Sequence, residues 1–192
     1  MRFLEFNEST EIPAYTTLPI NSPEEFADYV KKNCSNFLAQ AGKRKLYRSV
    51  NWYSDRVLLM QSPINRTPRD MSKNRQTMVD QVLTKRGFTA LRTNSIFCSG
   101  APEVTRYYGD DLFVVYPLNG FSYTWSPDIP DMATVGEGLE INTESDRYFL
   151  SRIEDADFWD THIGKALADG IEIYIHGKYV FAADDKWGHI KC

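Results

Sequence analysis

Residues 169–182 read "DGIEIYIHGKYVFA". Ile171, Ile173 and Ile175 alternate with Glu172, Tyr174 and His176, the period-2 pattern of a strand with one apolar face. Gly177 and Lys178 offer a turn into a second strand, Tyr179 to Ala182. The stretch therefore predicts late, hairpin-like antiparallel pairing. It also sets a carboxylate beside an aromatic and a histidine on the non-isoleucine side. A solvated strand face accounts for that pattern as readily as a binding surface does.

Working back from this strand, Gly170 suits the stop of a helix bearing Trp159, Ile163, Ala166 and Leu167, with Ser151 and Glu154 as its capping box. Residues 126–148 are acidic and rich in turn signals, and match no pattern. Upstream, "FSYTW" (121–125) and "DLFVVYP" (111–117) read as strands. "PEVTRYYG" reads as a helical turn or two closed by Gly109, and "FTALRTNSIFCSG" (88–100) as one or two strands. Ser72 or Asp70 caps a helix carrying Met78, Val79, Val82 and Leu83, which Gly87 ends. "KLYRSVNW" and "RVLLM" are strands. A helix opens at Ser22, with Pro23 in its first turn and Glu25 three residues on, and closes at Gly42.

This order has no Gly-rich phosphate loop after the first strand, which argues against a doubly wound parallel sheet. The expected class is α+β, with mixed, largely antiparallel sheets and flanking helices, over 1–192 as a single domain. No run of about 18 apolar residues predicts a membrane span. The N-terminal stretch lacks the apolar core of a secretory signal. Cys34, Cys98 and Cys192 are three, without paired spacing, as in a reducing compartment; the cytoplasm is the expected location.

The formal net charge of −4 hides an asymmetry. Residues 43–92 hold 12 Lys/Arg and 3 Asp/Glu, whereas residues 93–192 hold 7 and 17. A basic segment in an acidic protein suits a polyanion, whether nucleic acid or nucleotide phosphates, or else a solvated face balanced across the fold.

Metal-binding, P-loop and esterase motifs are absent from the chain, and Cys98 reads as a small core residue. Arg48 shares a strand face with Leu46 and Val50 by alternation. An unpaired guanidinium is costly there, so a carboxylate or an anionic ligand is expected beside it.

Taken together, Arg48 on an early strand, Ser99 (or Ser95) where a strand breaks into a short helix, and Glu172 on a late strand resemble the arginine–serine–glutamate signature of the ADP-ribosyltransferase superfamily. Three short windows carry the likeness: "LYRSV", "FCSGAPEVTRYYG" and "DGIEIYIHGKYVF". The resemblance implies an ADP-ribosyltransferase-like fold and NAD as substrate. It implies catalytic roles for Glu172, Ser99 and Arg48, with Arg48, Ser99, Tyr107, Tyr108, Arg66 and Arg69 holding the dinucleotide. Arg75 lies close enough in sequence to join them.

Two positions depart from the family pattern. Ser-Thr-Ser becomes Ser99-Gly100-Ala101, and the Glu or Gln found two residues before the glutamate in many members becomes Gly170. The second departure speaks against a protein-arginine acceptor and leaves a nucleic-acid base (DNA or RNA), another side chain, or no acceptor. The alternatives are a non-enzymatic nucleic-acid-binding protein and a small structural protein of a phage or mobile element.

Overall fold

The structure, a computed structural model, describes residues 14–68, 71–136 and 142–191. It is α+β, with two antiparallel sheets. The larger sheet has the order β1-β3-β8-β5-β2: β1 is Tyr15–Thr17, β2 Leu46–Val50, β3 Leu58–Gln61, β5 Asp111–Pro117 and β8 Lys178–Ala183. The smaller sheet has the order β4-β7-β6, from Ile96–Cys98, Ile173–His176 and Ser122–Trp125. The two sheets meet where Tyr47 of β2 exchanges backbone hydrogen bonds with Ser99, at 2.8 and 3.0 Å, just past β4.

The small sheet is covered on both faces. Ile96, Cys98, Ile173 and Ile175 face a core shared with the large sheet, while Phe97 and Tyr174 face a second core. That second core is built on α3 (Lys73–Lys85) and α5 (Thr143–Asp155), through Val79, Val82, Leu83, Phe149 and Ile153. So the alternation at 171–176 does not separate an inside from an outside: every residue from Ile171 to Ile175 is buried.

The expected hairpin at Gly177 does not form. β7 lies in the small sheet and β8 in the large one, and Gly177, at φ 119°, carries the chain between them. β8 pairs with β3 and β5 instead, and the Ser62 amide donates to the Gly177 carbonyl at 3.0 Å.

The first helix is capped as its sequence predicts, with Ser22 Oγ accepting from the Glu25 amide, but it breaks at Cys34 into α1 (Pro23–Asn33) and α2 (Ser35–Ala41). The cause is tertiary. Asn119, in the turn after β5, donates its amide to the Asn33 carbonyl and accepts from the Asn36 amide at 2.9 Å.

Between α3 and β4, residues 88–95 form no strand. Asp80 of α3 accepts the amides of Arg92 and Thr93 at 2.7 and 3.2 Å and holds them as a turn. Such a carboxylate competes locally with any strand ladder.

Ser151 and Glu154 lie inside α5, whose cap is Asn142, accepting from the amides of Glu144 and Ser145. Trp159 lies outside any helix. It pairs backbone to backbone with Trp125 and extends the small sheet, before α6 (Ile163–Asp169) begins beyond a left-handed His162. Gly170 closes α6 in the left-handed region at φ 67°, where glycine lacks the Cβ that makes this conformation costly. A short helix, α4 (Pro102–Thr105), runs into a 3-10 turn over Arg106–Tyr108; α7 (Asp184–Trp187) follows β8. Among the described residues, no helix is long and apolar enough to cross a membrane.

Candidate functional site

Glu172 precedes β7 by one residue and is only 7 % exposed. A bare carboxylate there is costly, since the charged form loses its hydration. Arg92 and Tyr108 are among the groups that answer it. Arg92 Nη1 approaches Oε1 at 3.2 Å, and the Tyr108 hydroxyl donates to Oε2 at 3.3 Å. Arg92, fully buried, also donates to the Tyr174 hydroxyl at 2.9 Å.

The sequence reading missed Arg92, although its logic for Arg48 applied equally: a guanidinium between Leu91 and a buried strand needs a partner. Asp80 supplies the geometry by pinning the Arg92 backbone, so that the side chain runs under the small sheet towards Glu172.

Phe97 is the aromatic centre of the cluster. Its ring lies 5.0 Å from that of Tyr174, and the guanidinium carbons of Arg66 and Arg92 lie over it at 3.7 and 4.4 Å. Guanidinium groups suit aromatic faces because the ring quadrupole attracts the cation. Arg66 reaches this position from the loop after β3, where its amide donates to Thr93 O at 2.7 Å and its carbonyl accepts from Gln76 Nε2 at 2.8 Å.

Arg48 is half-buried and donates from Nη1 to the Phe97 carbonyl at 2.7 Å. The expected carboxylate partner is therefore replaced by a backbone oxygen; among the described residues no acid pairs with Arg48. One carbonyl engages one of five guanidinium donors, so the rest of the fork is open to an anion.

Ser99 is buried. Its hydroxyl donates to the Gly170 carbonyl at 2.8 Å and accepts from the Ala101 amide at 3.2 Å, so it ties down the turn two residues before Glu172 rather than Glu172 itself. Ser95, the other serine considered, donates to Asn94 Oδ1 at 3.1 Å.

Three residues distant in sequence thus lie on laterally neighbouring strands. Tyr47, beside Arg48, pairs with Ser99, and the β4–β7 register sets Cys98 opposite Ile173, beside Glu172. Both charges bear on the Cys98 thiol, Arg48 drawing its pKa down and Glu172 raising it. Burial dominates and pushes it up to about 12. That thiol is a core group and no nucleophile. Burial likewise raises the Tyr179 hydroxyl, which also senses Arg48. Arg69 and the Tyr107 side chain lie outside the described residues.

At the two positions where the chain departs from the pattern it resembles, the packing leaves little room for a side chain. A Cβ on Gly100 would stand 2.0 Å from the Leu167 carbonyl oxygen, and one on Gly170 would stand 2.9 Å from the Ala101 Cβ. The strand end at 99–101 and the end of α6 are pressed together backbone to backbone, which excludes a threonine at 100 and strains any side chain at 170.

Much of the basic segment is engaged internally. Arg75 Nε pairs with Asp146 at 2.9 Å, Arg86 donates to the carbonyls of Glu154 and Ala156 at the end of α5, and Arg92 meets Glu172. In comparisons with protein families, with curated proteins and with solved structures, no match to this chain is found.

Proposed function

We propose that this chain is an ADP-ribosyltransferase-like enzyme that cleaves the nicotinamide–ribose bond of NAD and passes ADP-ribose to a macromolecular acceptor, a nucleic acid in preference to a protein arginine. The observation that supports the reading is that backbone pairing sets Arg48 on β2, Ser99 just past β4 and Glu172 just before β7 side by side, with Ser99 fixing the turn that leads into Glu172.

The residues fit the dinucleotide chemically. Guanidinium forks at Arg48 and Arg66 suit a pyrophosphate, and Tyr108, half-buried beside Glu172, is a ring able to lie against nicotinamide. Glu172 is the group for the reacting sugar. As the glycosidic bond breaks, its electron pair leaves with nicotinamide and positive charge grows on the ribose, as in glycoside hydrolysis. A carboxylate already fixed in place strengthens its attraction as that charge develops. Arg92 and Tyr108 hold the carboxylate in one rotamer. The acceptor then bonds to the anomeric carbon and loses a proton. Gly170 supports a non-arginine acceptor, since it brings no carboxylate to the turn.

The test is release of nicotinamide from NAD, with DNA, RNA and protein extract offered in turn as acceptors. Wild-type protein should release it, and Glu172→Gln should be slower by roughly a hundred- to a thousand-fold, with an unchanged circular dichroism spectrum. Equal rates in the two proteins, or no release with any acceptor, would falsify the assignment.

A further inference from the structure

A cavity of about 460 Å³ opens between the end of α2, β5 and the segment after α7. Lys43, Arg44, Lys45 and Lys191 line it together with His189, and no carboxylate is in the lining. Gly42, at φ 63°, turns the chain out of α2 so that the three successive basic residues border the cavity instead of continuing the helix. Lys45 Nζ donates to the Gly188 carbonyl, which ties the two basic segments together across the opening. Lys43, Arg44 and Lys191 are exposed, and among the described residues no acid pairs with them.

Four like charges gathered at one cavity in a chain of net charge −4 repel one another until an anion enters. Leu38, Tyr116 and Ile190 give the same cavity an apolar floor. The volume lies within the range of small-molecule sites, about 300–1,000 Å³.

We infer that this cavity binds a 5′-phosphorylated nucleoside, either free or as the end of a nucleic-acid strand. Its phosphate meets Arg44 and the lysines at the rim, and its base lies on Leu38 and Ile190. Arginine offers a fork to phosphate oxygens and lysine a point charge, whereas a bare inorganic anion would leave the apolar floor unused. The site is independent of the one proposed for NAD cleavage, because it shares no residue with it.

Calorimetry on the full chain at low salt tests this with AMP, inorganic phosphate, and an oligonucleotide bearing either a 5′-phosphate or a 5′-hydroxyl. AMP should bind, and the exposed double variant Lys43→Glu/Arg44→Glu should weaken it roughly tenfold or more. A charge-matched control on α1, Lys31→Glu/Lys32→Glu, should leave the affinity unchanged, as should Glu172→Gln. Preference for the 5′-phosphorylated strand over its hydroxyl twin identifies a strand end as the ligand's source; binding of AMP alone identifies the free nucleotide. The proposal fails if AMP does not bind, if inorganic phosphate binds as tightly as AMP, or if both charge-reversed pairs lose affinity equally.

Discussion

The Arg92 guanidinium, wholly buried, stands 3.2 Å from the carboxylate of Glu172, itself 7 % exposed. Removing one member of such a pair strands the other's charge in the interior, at a cost of about 3–5 kcal/mol, whereas replacing both by apolar groups is often neutral. Arg92→Met should therefore lower stability in urea unfolding by about that amount. The double variant Arg92→Met/Glu172→Leu should cost much less than the two single changes summed. Additivity of the singles to within about 0.5 kcal/mol would show that the two side chains are not coupled.

Arg48 joins two roles that separate experimentally. Its bond to the Phe97 carbonyl, from a charged donor, ties β2 to β4 and is worth about 1.5–3 kcal/mol. In the proposed enzyme its remaining donors grip phosphate, so Arg48→Ala should weaken NAD binding by roughly tenfold or more, besides lowering stability by about that amount. Calorimetric titration decides it: equal NAD affinity in both proteins leaves Arg48 as a strand tie alone.

Cys98 gives a pH dependence with a definite sign. Burial raises its thiol from about 9 to about 12, so between those values the unfolded chain releases a proton that the native protein keeps. The contribution to stability is complete below about pH 9 and is lost as pH climbs towards 12, at up to about 1.4 kcal/mol per pH unit for one proton. Unfolding free energies measured across that window should fall with pH, and Cys98→Ala should flatten the fall by one proton. A slope identical in the two proteins would mean the native thiol ionises normally. In the same window Cys98 should resist alkylation until the chain is denatured.

What the sequence made legible was local. Ser22 and Ser72 cap their helices, glycines stop them at 42, 87 and 170, and the strands at 46–50, 111–117 and 122–125 fall where alternation or a short apolar run predicts them. Apart from the capping box misplaced from Asn142 to Ser151, the failures were long-range. Asn119 breaks the first helix from 86 residues away in sequence (Asn33 to Asn119), and Asp80 converts an apparent strand at 88–95 into a turn. Trp125 draws Trp159 out of the helix assigned to it. At residues 169–182 the period was right and its meaning was not, because a strand covered on both faces alternates between two cores. Glu172 was visible as an acid in a strand-like run. Its partner Arg92 was not: the apolar surroundings of that guanidinium call for a partner, but 80 residues separate the pair and hide which acid it meets.

The close packing at Gly100 yields the prediction that bears most directly on the motif. A methyl there would overlap the Leu167 carbonyl at 2.0 Å, and that atom is backbone, which cannot rotate away. Overpacking of this kind typically costs about 1–3 kcal/mol and sometimes more. Gly100→Ala should sit at the upper end of that range, with Gly100→Thr worse although it restores the Ser-Thr-Ser residue. A chain of this length loses about 2–4 °C of Tm per kcal/mol, so a drop of roughly 6–12 °C is expected for the alanine variant. Gly42→Ala is the control: its φ of 63° is left-handed, but no atom lies within 4 Å of the added carbon, so it bears only the conformational penalty of about 1–2 kcal/mol. If Gly100→Ala melts no lower than Gly42→Ala, the strand end and α6 are not in contact. Ser99 then has no fixed hold on Gly170, and the turn that delivers Glu172 loses its anchor.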